Sequence, residues 1–157
     1  MPSSSENFPM LNLPPIAPSR IRMDGGMLKV ADPCRQIAVK LTPEEWVRQH
    51  FVDWLHYRLG YPYSIIGNEV PLRLNRTRRR ADTVIYDASG APFIIVEYKA
   101  PSVEITQRVF DQIVRYNMVL RAQYLAVSNG MQHYFCAIDY EAGSFSYIPT
   151  LPAYKSC

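Results

Sequence analysis

A chain of 157 residues, 48% of them hydrophobic, fits one ordinary domain with a core large enough to fold without staples. It leaves no room for a second catalytic domain, so any motor or specificity function is expected from another polypeptide. The net charge of +3 permits a polyanionic partner without demanding one, and Cys34, Cys136 and Cys157, odd in number and far apart, argue against a disulfide framework or a zinc site.

A reducing compartment follows from the cysteines. The N-terminus has no basic-then-apolar signal pattern, and no apolar run approaches the roughly 18 residues of a spanning helix. The expected chain is soluble and cytoplasmic, without a membrane partner.

Residues 1–26 hold five of the 13 prolines, a Ser-Ser-Ser run and Gly25-Gly26, a composition that resists helix and sheet. This segment is expected to be a flexible arm, extended or disordered, free to dock on the domain or on a partner. Residues 27–157 are expected to form the single domain. Met27 to Lys40 is strand-like, centred on Ile37-Ala38-Val39. Thr42 reads as an N-cap, with Pro43 at the first helical position and Glu45 three residues after the cap. The helix it opens runs to about Leu59, with Val47, Phe51, Trp54, Leu55 and Arg58 along one face and Gly60 ending it.

Tyr61 to Leu74 reads as one or two strands, and Ala81–Tyr86 and Phe93–Lys99 as a pair joined by a turn-rich connection. A second helix is predicted from about Ile105 to Leu120, with Val109, Ile113, Tyr116 and Leu120 on one side. Tyr124–Ser128, Gln132–Ile138 and Ser144–Ile148 read as further strands, with Asn129-Gly130 as a two-residue hairpin turn. The order predicts an α/β fold of α+β type, a mixed sheet flanked by helices.

Strand alternation puts Phe93, Ile95, Glu97 and Lys99 on one face. A turn centred between Ser89 and Gly90 places Asp82 opposite Glu97, with their Cβ atoms roughly 5 Å apart. Two carboxylates so close repel unless a cation lies between them or one is protonated. Mg²⁺, with Mn²⁺ as a substitute, suits a few carboxylate oxygens with water and phosphate in the remaining positions. Such a metal activates water for attack on phosphorus, and Lys99 supplies charge or positions the water. The plainer account makes Asp82 a strand-edge polar residue and Glu97 with Lys99 a solvated ion pair. Against it, a Glu-x-Lys at the end of Phe-Ile-Ile-Val is costly if buried and unpaired.

Five arginines, Arg73, Arg76, Arg78, Arg79 and Arg80, precede the Asp82 strand and suit phosphate contacts, or else a solvated hairpin tip. Arg80 lies nearest to Asp82 on the same strand face. His50, His56 and His133 show no metal spacing.

The segments LTPEEWVRQHF, RADTVIYD, FIIVEYKAP, DQIVRYN and VSNG, matching in order from about Cys34 to His133, resemble the PD-(D/E)xK nuclease superfamily. The specific likeness is to the N-terminal nuclease domain of type I restriction enzyme R subunits and its stand-alone relatives. The resemblance implies the restriction-endonuclease-like fold, metal coordination by Asp82 and Glu97, and a catalytic role for Lys99. It further implies an additional first-helix metal-binding acid at Glu45, which also reads as the capping partner of Thr42. Gln112 and Tyr116 would support the site or contact the nucleic-acid backbone. Ala81-Asp82 stands where the superfamily name has Pro-Asp. The expected activity is phosphodiester hydrolysis of DNA, in restriction, defence or repair, with a homodimer or a separate motor or specificity subunit as partner. The competing expectation is a binding or interaction module that retains the fold without catalysis.

Overall fold

A computed structural model describes residues 7–74 and 77–155, except for the side chains of residues 73, 74, 77 and 78. Among the described residues, nine strands form two sheets. β1 (Ile21–Asp24), β2 (Met27–Asp32) and β3 (Ile37–Lys40) make a small antiparallel sheet. β4 (Ile66–Leu74), β5 (Thr77–Tyr86), β6 (Pro92–Tyr98), β7 (Tyr124–Ser128), β8 (His133–Asp139) and β9 (Ser144–Ile148) make a six-stranded sheet in that order. All its pairings are antiparallel except β6 with β7, which the helix α2 (Gln107–Asn117) connects.

The helix α1 (Pro43–Tyr57) starts as its sequence dictates: Thr42 accepts a hydrogen bond from the Glu45 N–H at 3.1 Å, and Pro43 occupies the first turn. Val47, Phe51, Val52 and Leu55 pack on Ile85, Ile94, Val96 and Tyr98 of the large sheet. The opposite face carries Val84, Ile95, Leu125 and Val127 against Phe110 and Val114 of α2. Neighbouring residues such as Ile94 and Ile95 therefore serve opposite cores, and β6 is buried on both sides, as a strand with a parallel neighbour usually is.

Three readings of the sequence need correction. The core face of α2 centres on Phe110, Val114 and Asn117, while Tyr116 is 59% exposed. Periodicity alone points to Tyr116, but Asn117, one residue on, is the one that docks. The Asn129-Gly130 connection spans four residues, because the Asn129 side chain caps the N–H groups of Met131 and Gln132 and forms an Asx turn. Phe93 packs with Ile94 on the α1 side, because a register shift at Ile85/Tyr86 ends the alternation there.

From residue 7 on, the proline-rich segment lies on the domain. Leu11 and Ile16 are buried, Trp46 Nε1 donates to the Pro9 carbonyl at 2.8 Å, and Arg20 pairs with Asp53 at 2.7 Å. Gly25-Gly26, both at positive φ, form the two-residue turn between β1 and β2.

Candidate active site

Asp87 builds the β5–β6 turn: its carboxylate accepts from the N–H groups of Ser89 and Ala91 and from the Ser89 hydroxyl. The resulting register pairs Ile85 with Ile94, Val84 with Ile95 and Thr83 with Val96. One step further along the same register stand Asp82 and Glu97. There the ladder ends, and the Asp82 carboxylate accepts the Tyr98 N–H at 2.9 Å. On the other side of β5, Asn68 pairs with Thr83 and Val70 with Ala81, skipping Glu69 opposite Asp82. Glu69 has a φ of 54°, a left-handed conformation costly for a residue with a Cβ.

This break moves the alternation of both strands by one residue. Before it, Ile66 and Ile85 face α1; after it, Val70, Leu72 and Ala81 face α2. Unbroken alternation would bring Arg80 beside Asp82, yet Arg80 is exposed and Arg79 turns inward. Arg79 donates to the Tyr116 carbonyl at 2.7 Å and to Asn117 Oδ1 at 2.6 Å, and it reaches within 3.5 Å of Glu97 Oε1. Its guanidinium carbon lies 3.2 Å from the centroid of the Tyr116 ring.

Glu97 is mostly buried, and burial pushes its carboxyl up to about 8, with the Asp82 charge and a hydrogen bond to Asp82 adding to the rise. Arg79 and Asn117 pull the other way. Two acids thus meet where one negative charge is comfortable and two are not. Lys99 follows directly: its N–H donates to the Ser128 carbonyl at 2.9 Å and extends the β6–β7 pairing one residue. Among the described residues its ammonium has no carboxylate within salt-bridge distance.

Residues 43–152 match the family described as type I restriction enzyme R protein N terminus. The chain belongs to this family. A solved fragment of a protein assigned as the HsdR subunit of a type I restriction enzyme from Vibrio vulnificus YJ016 shares the fold, at 18% identity and a TM-score of 0.50. The likeness covers 70% of this chain and 23% of that one, so the chain spans about a quarter of the fragment's length. No curated protein matches it.

The other residues that the type I R-subunit likeness singles out are placed unevenly. Glu45 does not join the pair: its carboxylate takes hydrogen bonds from Arg35 at 2.8 Å, Arg48 at 2.9 Å and Gln49 at 2.8 Å. Among the described residues, no three His, Cys, Asp or Glu side chains gather as a metal-holding group. Glu45 is buried between Arg35 and Arg48. Gln112 and the Tyr116 ring lie exposed on α2, and only Tyr116 touches the site, through Arg79. The expected contacts of Arg73, Arg76 and Arg78 fall on side chains outside the described residues. Arg79, one of the five arginines expected to contact phosphate, is instead buried against Tyr116, Asn117 and Glu97, and sequence reasoning missed Asn117 and Glu69. A carboxamide just after an aromatic on the last turn of a helix was the available signal for Asn117; nothing marked Glu69. Among the described residues no helix is long and apolar enough to cross a membrane.

Proposed function

We propose that this domain is a divalent-cation-dependent nuclease acting on DNA. The observation that carries the reading is the convergence of Asp82 and Glu97 on one sheet face, with Lys99 two residues beyond. Family membership supports a restriction or defence setting, in which other type I subunits would supply translocation and specificity.

The donors fit a hard cation. Asp82 and Glu97 are oxygen ligands whose mutual repulsion a divalent ion would relieve, and Mg²⁺ commonly binds through one or two carboxylates with water and phosphate completing its shell. Bound there, Mg²⁺ or Mn²⁺ would supply Lewis acidity toward the phosphate and a more acidic water. The chain's own residues do the rest. The Tyr98 N–H fixes Asp82, the end of α2 holds Glu97 through Arg79, and Lys99 brings positive charge to where negative charge builds up on phosphate oxygens. Arg80, exposed on β5, would meet the DNA backbone.

One observation favours a second reading, a DNA-binding or interaction module without catalysis: Glu45, the third acid of the expected set, is committed to Arg35 and Arg48. One experiment separates the two. Purified protein is incubated with linear, circular and single-stranded DNA and Mg²⁺ or Mn²⁺, beside Asp82→Ala and Lys99→Ala. The wild type should cut and both variants should lose at least about a hundredfold in rate. Salt-sensitive DNA binding without cutting would establish the second reading.

A further inference from the structure

We infer that Arg79 is a positioning residue, a clamp that ties Glu97 to the C-terminal end of α2 and so sets the carboxylate in its working orientation. The inference deepens the proposed nuclease reading and rests on it for its consequence, though not for its geometry.

Arg79 has 5% of its side chain exposed, and a guanidinium that is permanently charged is seldom placed so deep without a purpose. Each face of its fork is used. Nη1 takes the Tyr116 carbonyl, one of the acceptors left open at a helix end, where the dipole also favours a cation. Nη2 takes Asn117 Oδ1 and lies 3.5 Å from Glu97 Oε1. Asn117 is itself fixed, since its Nδ2 donates to the Ile113 carbonyl at 2.8 Å and the residue is buried. The Tyr116 ring covers the guanidinium from the solvent side. Arg79 Nε has no hydrogen-bond partner among the described residues, so the fork makes its polar contacts through its two ends.

These contacts link β5, β6 and α2, three of the elements that border the carboxylate pair. Without these contacts Glu97 would rest beside Asp82 with several rotamers open to it. A lysine carries the same charge on a single ammonium and cannot span Tyr116, Asn117 and Glu97 together.

The test uses the whole chain with Arg79→Met, Arg79→Lys and Tyr116→Ala, and with Arg22→Met on exposed β1 as the charge control. Tyr116→Ala removes only an exposed ring, so it reports even if the Arg79 variants fold poorly. Without metal, Hα–Hβ couplings of Glu97 should give one χ1 rotamer in the wild type and in Arg22→Met, and an average over rotamers in the other three. With Mn²⁺, followed by electron paramagnetic resonance, the same three should bind at least about tenfold more weakly. They should also lose kcat with little change in KM for DNA. An unaltered Glu97 rotamer overturns the clamp. Tighter Mn²⁺ binding overturns it as well, by making Arg79 a competitor of the ion. If the wild type binds no Mn²⁺ and cuts nothing, the nuclease reading fails, and the rotamer measurement still decides the clamp.

Discussion

Glu97 carries the most perturbed chemistry in the candidate site, and its proton is the readout. Burial and the Asp82 charge raise its carboxyl from 4.5 to about 8, against the pull of Arg79 and Asn117. In the unfolded chain the same group ionises near its ordinary value, so between about pH 4.5 and 8 the folded state holds a proton that the unfolded state has released. The contribution to stability is therefore full at the acid end and is lost as pH rises toward 8. Thermal melts of the metal-free protein should show a falling Tm across that window. Glu97→Gln should flatten the fall, since its amide cannot ionise, and Asp82→Asn should shrink it by removing the repelling charge. Equal slopes in all three proteins would mean that Glu97 is not the group responsible.

At the scale of elements, the N-terminal strap and the β7–β8 connection are fitted to one another. Leu11 is buried against Gly130, where an added Cβ would lie 2.7 Å from a Leu11 methyl, and the Asn12 N–H donates to the Gly130 carbonyl at 2.9 Å. Gly130 also has a φ of 86°, which only glycine adopts without strain. Urea denaturation should show Gly130→Ala destabilised by about 2–3 kcal/mol, from left-handed strain plus the displaced leucine. Leu11→Ala should cost about 2–3 kcal/mol for the lost burial. The double variant should cost clearly less than both together, because the steric part disappears with the leucine. Strict additivity would show that the strap does not seat on this loop. The same strap marks a limit of sequence reading. Its composition argues against helix and sheet, yet Ile21–Asp24 pairs with β2 as β1, and docking depends on hollows such as the one over Gly130, which only the assembled sheet creates. Short-range signals served well elsewhere. Thr42 and Pro43 started α1, and the turn at Ser89-Gly90 brought Asp82 and Glu97 together. Arg79 was out of reach because the break at Glu69 and Asp82 reverses which arginine faces inward, and a positive φ at a glutamate has no local signature. Glu45 was legible as a capping-region acid, and its Arg48 contact is an i, i+3 pair within α1, but its contact with Arg35 from the β2–β3 turn and that of Arg48 with Glu69 of β4 join different elements and have no local signature.

For the molecule as a whole, the decisive feature is that each chain presents one carboxylate pair on one face of one sheet. Under the nuclease reading, a single such site attacks one phosphodiester at a time, and the two strands of a duplex run in opposite directions. One chain cannot present its site to both strands in the same pose. A dimer related by a twofold axis could, because its symmetry would match that of the duplex backbone. A chain acting alone must release and rebind between strands. Supercoiled plasmid treated at low protein concentration should therefore pass through a nicked circle that accumulates before any linear form. The rate of linearisation should rise more steeply than first order in protein as concentration increases. Linear product arising directly at the lowest concentrations, with no nicked intermediate, would mean that two sites already act together. The net charge of +3 is small, so DNA binding should weaken only moderately with salt, with a slope reflecting the few phosphates that Arg80 and its neighbours neutralise. Asp82→Ala should leave that slope unchanged while abolishing nicking, because the carboxylate contributes to the chemistry and not to the phosphate contacts.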